Sequence, residues 1–325
     1  MQPLVSVVVP TYNRQASLQR LLEALARQTV PAAQLELLVV DDGSSDGTRE
    51  WLGRQSPDFA LRVLEQSHSG PAAARNLGVR HASGEVILFL DDDVLPGPEL
   101  VRRHLAVRAA EGDVVVIGPM LPPPDWARPV WVRWEEAQLL KQYRDMIAGR
   151  YACTARQFYT GNASLSRRRF LDTGGFDPRY RRAEDVELAY RLDQQGARFV
   201  FDPQAAVLHY AWRSFQAWSR TPRQYGAYDV MMDREEGHGA LRDALTEFHT
   251  RHPLNRALAR LLVGHNALIA GVVTGLGWVA RAADRQAGAG LAAAALSAAF
   301  NLLYWQGLSD ELGGAGRVWA AGSSA

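Results

Sequence analysis

Apolar residues in the N-terminal part of the chain fall into short runs that alternate with stretches of helical spacing. Strand-like runs occupy residues 5–9, 35–40, 61–64, 86–90 and 114–117. Between them, residues 17–27, 48–55, 71–81 and 98–110 carry apolar side chains at helical intervals, with Leu18, Leu21, Leu22 and Leu25 in one stripe. Strands written as continuous apolar runs are covered on both faces, so the pattern predicts an α/β fold with a mostly parallel sheet flanked by helices. In such sheets ligands bind beyond the carboxyl ends of strands. Three polar clusters follow strand ends: Thr11-Tyr12-Asn13, Asp41-Asp42-Gly43-Ser44 and Asp91-Asp92-Asp93. They are expected to converge on one crevice.

The pattern changes at residues 119–134. Pro122-Pro123-Pro124 cannot be helix interior, and with Trp126, Trp131 and Trp134 the segment reads as a loop crossing the sheet edge. Residues 159–210 form a second unit. It holds a Gly161-Asn162 turn, a strand at 163–166, a turn at Gly174-Gly175, a helix from Glu184, a strand at 198–201 and a closing segment ending in His209. Farther on, residues 261–280 carry no charge over a length close to the roughly 20 needed to span a bilayer. A second apolar run follows at 289–308, with Arg281, Asp284 and Arg285 between the two. His265, Asn266, Asn301 and Gln306 weigh against clean spans. A soluble or dimerising hairpin, a membrane-associated one and a true pair of spans all stay open. Residues 313–325 read as a flexible tail. Three regions are therefore expected, 1–118, 119–215 and a C-terminal helical extension at 216–325.

Composition narrows the classes. At 325 residues the chain can bury a sizeable core, and a net charge of +1 argues against a nucleic-acid binder held by bulk electrostatics. The basic clusters at 167–169 and 179–182 are local. A single cysteine, Cys153, excludes an intrachain disulfide and suits a reducing compartment. No basic stretch followed by an apolar core opens the chain, so a cytoplasmic location is expected, with a peripheral place on the inner face of the plasma membrane left open.

Candidate chemistry centres on carboxylates. Three adjacent aspartates repel one another at a strand end, and a hard divalent cation removes that objection; a solvated acidic turn is the plainer alternative. One carboxylate of Asp41-Asp42 could accept an N–H from a nucleobase, or the segment could simply shape a strand–turn–helix junction. Tyr12 could stack on a base or be a turn aromatic. Glu184-Asp185 opens a helix, where carboxylates suit the macrodipole and where a general base could equally stand. His209 is either structural or a ligand for Mn²⁺. There is no P-loop, no dinucleotide glycine fingerprint, no His-Glu-x-x-His and no Gly-x-Ser-x-Gly elbow.

Several segments in order resemble the family 2 glycosyltransferases of the GT-A fold. They are Val5-Ser6-Val7-Val8-Val9-Pro10-Thr11-Tyr12-Asn13-Arg14, Val40 to Thr48, Ala73-Ala74-Arg75-Asn76-Leu77-Gly78, Phe89-Leu90-Asp91-Asp92-Asp93, Thr173-Gly174-Gly175-Phe176-Asp177, and Glu184-Asp185. The resemblance covers about residues 4–210. It implies a Rossmann-like GT-A domain whose donor half is 1–118 and acceptor half 119–215. It further implies inverting transfer of a sugar from a nucleotide-diphosphate donor, with Mn²⁺ or Mg²⁺, to a carbohydrate or lipid-linked acceptor in cell-envelope or surface polysaccharide synthesis.

Residue by residue, the resemblance places Pro10, Tyr12, Arg14, Asp42 and Arg75 at the donor. Arg75 and Asn76 either touch the donor or hold the loop. Asp91 and Asp92 would hold the ribose and help orient the metal, with Asp93 in direct contact with it; Asp91 and, from its own chemistry, His209 are the further candidate metal ligands. Asp185 would deprotonate the acceptor and Glu184 position it. No Gln-x-x-Arg-Trp string of processive synthases occurs; Gln216-Ala217-Trp218-Ser219-Arg220 has the wrong spacing, which favours single addition. The rivals are a nucleotidyltransferase, which would want a basic glycine-rich loop in place of Thr11-Tyr12-Asn13-Arg14, and a catalytically silent nucleotide-sugar-binding protein. The C-terminal helices would serve peripheral membrane contact or homodimer formation; no nucleic-acid partner is expected.

Overall fold

Strand β4 (Val86–Leu90) is buried at every position and feeds two cores by alternation. Val86, Leu88 and Leu90 join one cluster, with Val5, Val7 and Val9 of β1 (Val5–Thr11) and the leucine stripe of α1 (Gln15–Leu25). Ile87 and Phe89 join the other, with Val8, where the rings of Phe89, Phe170 and Phe176 meet at centroid distances of 5.5, 5.3 and 5.3 Å. Side chains of a strand point alternately to opposite faces, so an unbroken apolar run requires cover on both.

The computed structural model describes residues 4–321 apart from positions 181, 238 and 287. A seven-stranded sheet runs β3-β2-β1-β4-β8-β6-β9, with β2 (Leu35–Asp41), β3 (Ala60–Glu65), β6 (Val115–Ile117), β8 (Asn162–Ser166) and β9 (Phe199–Phe201). All neighbours are parallel except β8, which is antiparallel to β4 and β6. This is the mixed, mostly parallel α/β sheet that the apolar runs predict. Helices α2 (Thr48–Leu52), α3 (Pro71–His81), α4 (Leu100–Glu111), α6 (Arg167–Asp172) and α7 (Glu184–Gln194) connect these strands. A small second sheet orders β5 (Val94–Pro96), β10 (Val207–His209) and β7 (Met120–Leu121).

Two compact units result: Met1–Trp126 with Leu139–Ala211, which holds both sheets, and Ala127–Gln138 with Trp212–Ala325. The loop expected over 119–134 is partly regular. It contributes β7, and helix α5 (Val130–Ile147) begins inside it. Pro129 lies just ahead of that helix, where a missing N–H costs nothing, and its carbonyl accepts from Val132 and Arg133 at 3.0 and 3.1 Å.

The second unit is helical. α8 (Phe215–Glu236) and α12 (Ala289–Leu312) cross at closest approach where glycines remove the Cβ: one built on Gly226 would lie 2.1 Å from the Tyr304 carbonyl oxygen, and one on Gly307 1.9 Å from that of Arg223. α9 (Ala240–Thr250), α10 (Pro253–Leu262) and α11 (Asn266–Arg285) complete the bundle. The uncharged run 261–280 is not one helix. It breaks at residues 263–265, and Gln306 Oε1 accepts the Gly264 N–H at 2.8 Å. Nor are residues 313–325 a tail throughout. Gly313, at φ +81°, ends α12, and α13 (Ala315–Ala321) follows with Val318 buried and Trp319 packed 5.8 Å from Trp305. Residues 322–325 of the expected tail lie outside the described residues.

Candidate active site

The parallel register of β1, β2 and β4 brings their carboxyl ends side by side. Thr11 pairs with Asp41, and Val8 with Phe89, so the residues after each strand face a shared crevice of about 570 Å³. Pro10, Tyr12 and Arg14 reach it from β1, Asp42 from β2, and Asp91, Asp92 and Asp93 from β4. Arg75 enters from α3. Thr11, of the first polar cluster, lines it as expected, and His68, Pro71 and Arg182 line it as well.

Asp42 is buried and saturated. Its Oδ1 accepts the Ser69 N–H and a Gln66 Nε2–H, each at 2.7 Å. Its Oδ2 accepts the Gly70 N–H at 2.9 Å and stands 2.9 Å from His68 Nδ1. Four contacts fill a carboxylate's accepting capacity, so Asp42 organises residues 66–70 in this structure. Above it the rings of Tyr12 and His68 approach to 4.3 Å. Tyr12 is exposed and offers a flat apolar face to the crevice.

The aspartate triplet is divided by its partners. Asp91 Oδ1 accepts from Arg75 Nη2 at 2.7 Å. Asp92 accepts the Thr11 hydroxyl at 2.8 Å, yet burial and the adjacent Asp93 charge push it up to about 7. Asp93 takes the opposite course. Burial works to raise it, but the hydrogen bond and charge of His209, together with Arg14, hold it below the usual carboxylate range. His209 Nε2 lies 3.4 Å from Asp93 Oδ1, and Arg14 Nη1 3.3 Å from Asp93 Oδ2. The register of β10 on β5 sets this up by pairing His209 with Val94, the residue after the triplet.

Among the described residues no group of three or more His, Cys, Asp and Glu side chains is gathered for a metal. Asp91, expected beside Asp93 and His209 as a ligand, is turned to Arg75. The Asp93–His209 pair still suits Mg²⁺ or Mn²⁺, because such sites take one or two protein ligands and complete themselves with phosphate oxygens and water.

Arg75 is the hinge of the site. Buried to 4% exposure, it donates from Nη1 to Glu184 Oε1 at 3.0 Å while Nη2 holds Asp91. Its plane lies over Phe176, 5.8 Å from the ring centroid. Its neighbour Asn76 grips the backbone of Phe176 from both sides, donating to the carbonyl at 2.7 Å and accepting the N–H at 2.9 Å. So Arg75 joins two carboxylates and Asn76 holds the Gly175-Phe176 turn. Ala183 precedes α7 in the left-handed region, at φ +59°, which is strained for a residue with a Cβ. Asp185 then follows Glu184 in the first helical turn. It accepts the Val186 N–H at 2.9 Å and keeps a partly exposed edge. Its dense surroundings, then the Glu184 charge, push it up to about 7.

Carboxylates at strand ends, a buried arginine linking them to a helix-opening Glu-Asp pair, and the order of the motifs agree with one family. The sequence profile described as glycosyl transferase family 2 matches residues 6–175, more than half of the chain. The chain belongs to the family 2 glycosyltransferases.

Relatives of this family extend the likeness. Validoxylamine A glucosyltransferase of Streptomyces hygroscopicus subsp. limoneus is 36% identical over 220 residues, covering 60% of this chain and 49% of its own. Pre-mycofactocin glycosyltransferase of Mycobacterium tuberculosis (strain H37Rv) is 30% identical over 230 residues, covering 68% and 46%. The chain thus spans about half the length of these curated relatives. The fold is shared with solved structures. The mannosyltransferase PcManGT of Pyrobaculum calidifontis, solved with GDP-Man and Mn²⁺, aligns at TM-score 0.60 and 24% identity over 92% of this chain and 86% of its own. Residues 1–349 of S. aureus TarS with UDP align at TM-score 0.59 and 21% identity, over 94% and 90%.

Besides Pro71, two titratable residues of the family 2 crevice, His68 and Arg182, are not among the candidates that the sequence offers. His68 follows β3, so the rule that singled out the ends of β1, β2 and β4 would have found it as a fourth strand end. Arg182 belongs to the 179–182 cluster, and only its place in the crevice, close before Glu184, distinguishes it from its neighbours. The other basic cluster is structural: Arg167 donates to the Val79 and Arg80 carbonyls, and Arg169 to Asp113.

Proposed function

We propose that the protein transfers a sugar from a nucleotide-diphosphate donor to an acceptor hydroxyl in a single displacement that inverts the anomeric carbon. The observation that carries this reading is the Arg75 bridge. One guanidinium ties Asp91, in the donor crevice, to Glu184, next to Asp185 in the first turn of α7. A carboxylate pushed up to about 7 is a competent base near neutral pH.

In this reading the base lies against Tyr12 and Pro10, and Asp42 exchanges its His68 contact for a base N–H. Asp91 and Asp92 hold the ribose, and Arg14 and Arg182 face the diphosphate. Asp93 and His209 would hold Mn²⁺ or Mg²⁺, which when bound offsets the charge gathering on the departing diphosphate. Glu184, fixed by Arg75, orients the acceptor. Asp185 takes the acceptor proton as the new C–O bond forms and the bond to the diphosphate breaks, releasing a nucleoside diphosphate. One base and no covalent intermediate suffice, unlike the two opposed carboxylates of glycoside hydrolysis.

The nucleotides named with TarS and PcManGT, UDP and GDP-Man, make UDP- and GDP-sugars the first donors to try, and a cell-envelope or surface carbohydrate the first acceptor class. A thermal-shift panel of nucleotide sugars with and without Mn²⁺ tests the donor part. One donor should raise the melting temperature in a metal-dependent way; uniform silence across the panel would contradict it.

A further inference from the structure

We infer that α10 and α11 form a docking face for an anionic lipid surface. On α11 the buried residues Ile269, Val273, Gly277, Ala280 and Ala283 share one side. The opposite side presents Leu268, Gly275, Trp278, Val279 and Ala282, and Leu268 and Trp278 are 57% and 66% exposed. No charge falls between Asn266 and Ala280 to interrupt that side. On α10, Leu254 and Leu261 are seven residues apart, hence on one side, and are 58% and 73% exposed. Large apolar side chains concentrated in this way on two successive helices mark an interaction surface rather than scattered surface residues. The second apolar helix, α12, is no part of it over most of its length: its centre is buried, with Asn301, Gln306 and Ser309 among the covered residues.

Charge selects the occupant. The two helices themselves carry four arginines and one aspartate. The aspartate, Asp284, is itself ion-paired with Arg133. Arg260 is exposed on α10 and Arg285 is exposed at the end of α11, so a cation accompanies the apolar side chains of each helix. With Asp284 engaged by Arg133, exposed arginines beside apolar side chains are attracted by anionic headgroups and disfavour the same face of a second copy. An exposed tryptophan beside arginines suits the headgroup boundary, where apolar side chains enter and cations remain outside.

Flotation of the full-length protein with vesicles tests this without reference to sugar transfer. The wild type should float with phosphatidylcholine vesicles containing about 30% phosphatidylglycerol, several-fold less with phosphatidylcholine alone, and less again in high salt. Leu261→Asp with Trp278→Asp should lower the bound fraction about tenfold, and Arg285→Glu severalfold, with unchanged circular dichroism. All three sites are exposed, so these variants retain the fold. Equal binding to both vesicle types, no flotation of the wild type, or a dimer that these substitutions dissociate without affecting flotation would each overturn the inference.

Discussion

Arg75 Nη1 stands 3.0 Å from Glu184 Oε1, across 109 positions of sequence. With Asp91 on its other terminal nitrogen, this single side chain ties the carboxylates of the strand-end crevice to the first turn of α7. The fork matters as much as the charge. A guanidinium donates along two directions at once, whereas an ammonium is a point charge.

Arg75→Lys should therefore keep the fold but lower kcat at least about tenfold, because the two carboxylates are no longer held in register. Arg75→Ala should cost about 3 kcal/mol of stability, since Glu184 is left buried without its cation. Denaturant unfolding and steady-state kinetics on the two variants separate the effects. Equal kcat in the lysine variant would deny the bridge a role in positioning.

Asn76 makes two hydrogen bonds to the Phe176 backbone. Asn76→Ala strands a buried N–H and carbonyl and should cost about 2 kcal/mol, read as a lower urea midpoint at constant slope. Gly175→Ala should act at the same place: Gly175 has φ +76°, and its added Cβ would lie 2.6 Å from Asn76 Oδ1.

Tyr12 and His68 make a sharper pair of predictions. Tyr12→Ala removes the stacking face and should weaken nucleotide binding by about 1 kcal/mol, roughly fivefold. His68 occupies the contact with Tyr12 and Asp42 that a base would take, so His68→Ala should not weaken binding. Isothermal calorimetry with the nucleoside diphosphate reads both, and a loss on removing His68 as large as that on removing Tyr12 would reverse its assignment.

The Asp93–His209 pair predicts metal dependence shared by two residues. Chelation with EDTA should lower donor affinity about tenfold or more, and Asp93→Ala and His209→Ala should each abolish the difference between calorimetric titrations with and without Mn²⁺. Donor affinity that ignores metal in the wild type would leave the pair a structural contact only.

Much of this arrangement is legible in the sequence, for a physical reason. A parallel sheet writes each buried strand as an apolar run, and the polar residues after Val9, Val40 and Leu90 mark its ligand-binding edge. Helix α7 announces itself through Glu184-Asp185 before the apolar positions Leu188, Ala189 and Leu192. The small sheet is another matter. Strands of two or three residues such as Met120–Leu121 and Val207–His209 are too short to show a period, so the approach of His209 to Asp93 could be expected only by likeness to a family. The start of α5 was hidden by the prolines and tryptophans before it, and α13 by Gly313-Gly314, which end one helix without preventing the next. The ties of Asp42 and Arg75 depend on which side chains tertiary folding brings within 3 Å, and no local pattern encodes that.

Asp185 carries the central claim. Only its ionised form can accept the acceptor proton, and burial with the Glu184 charge pushes it up to about 7, so kcat should rise as pH increases through that region and fall below it. The decisive measurement is turnover of Asp185→Asn beside its donor affinity. The account predicts a fall in kcat of about 10²–10⁴-fold, loss of that pH limb and a donor Kd within about twofold of the wild type. Turnover within about tenfold of the wild type, or a kcat that still climbed through neutrality, would contradict it.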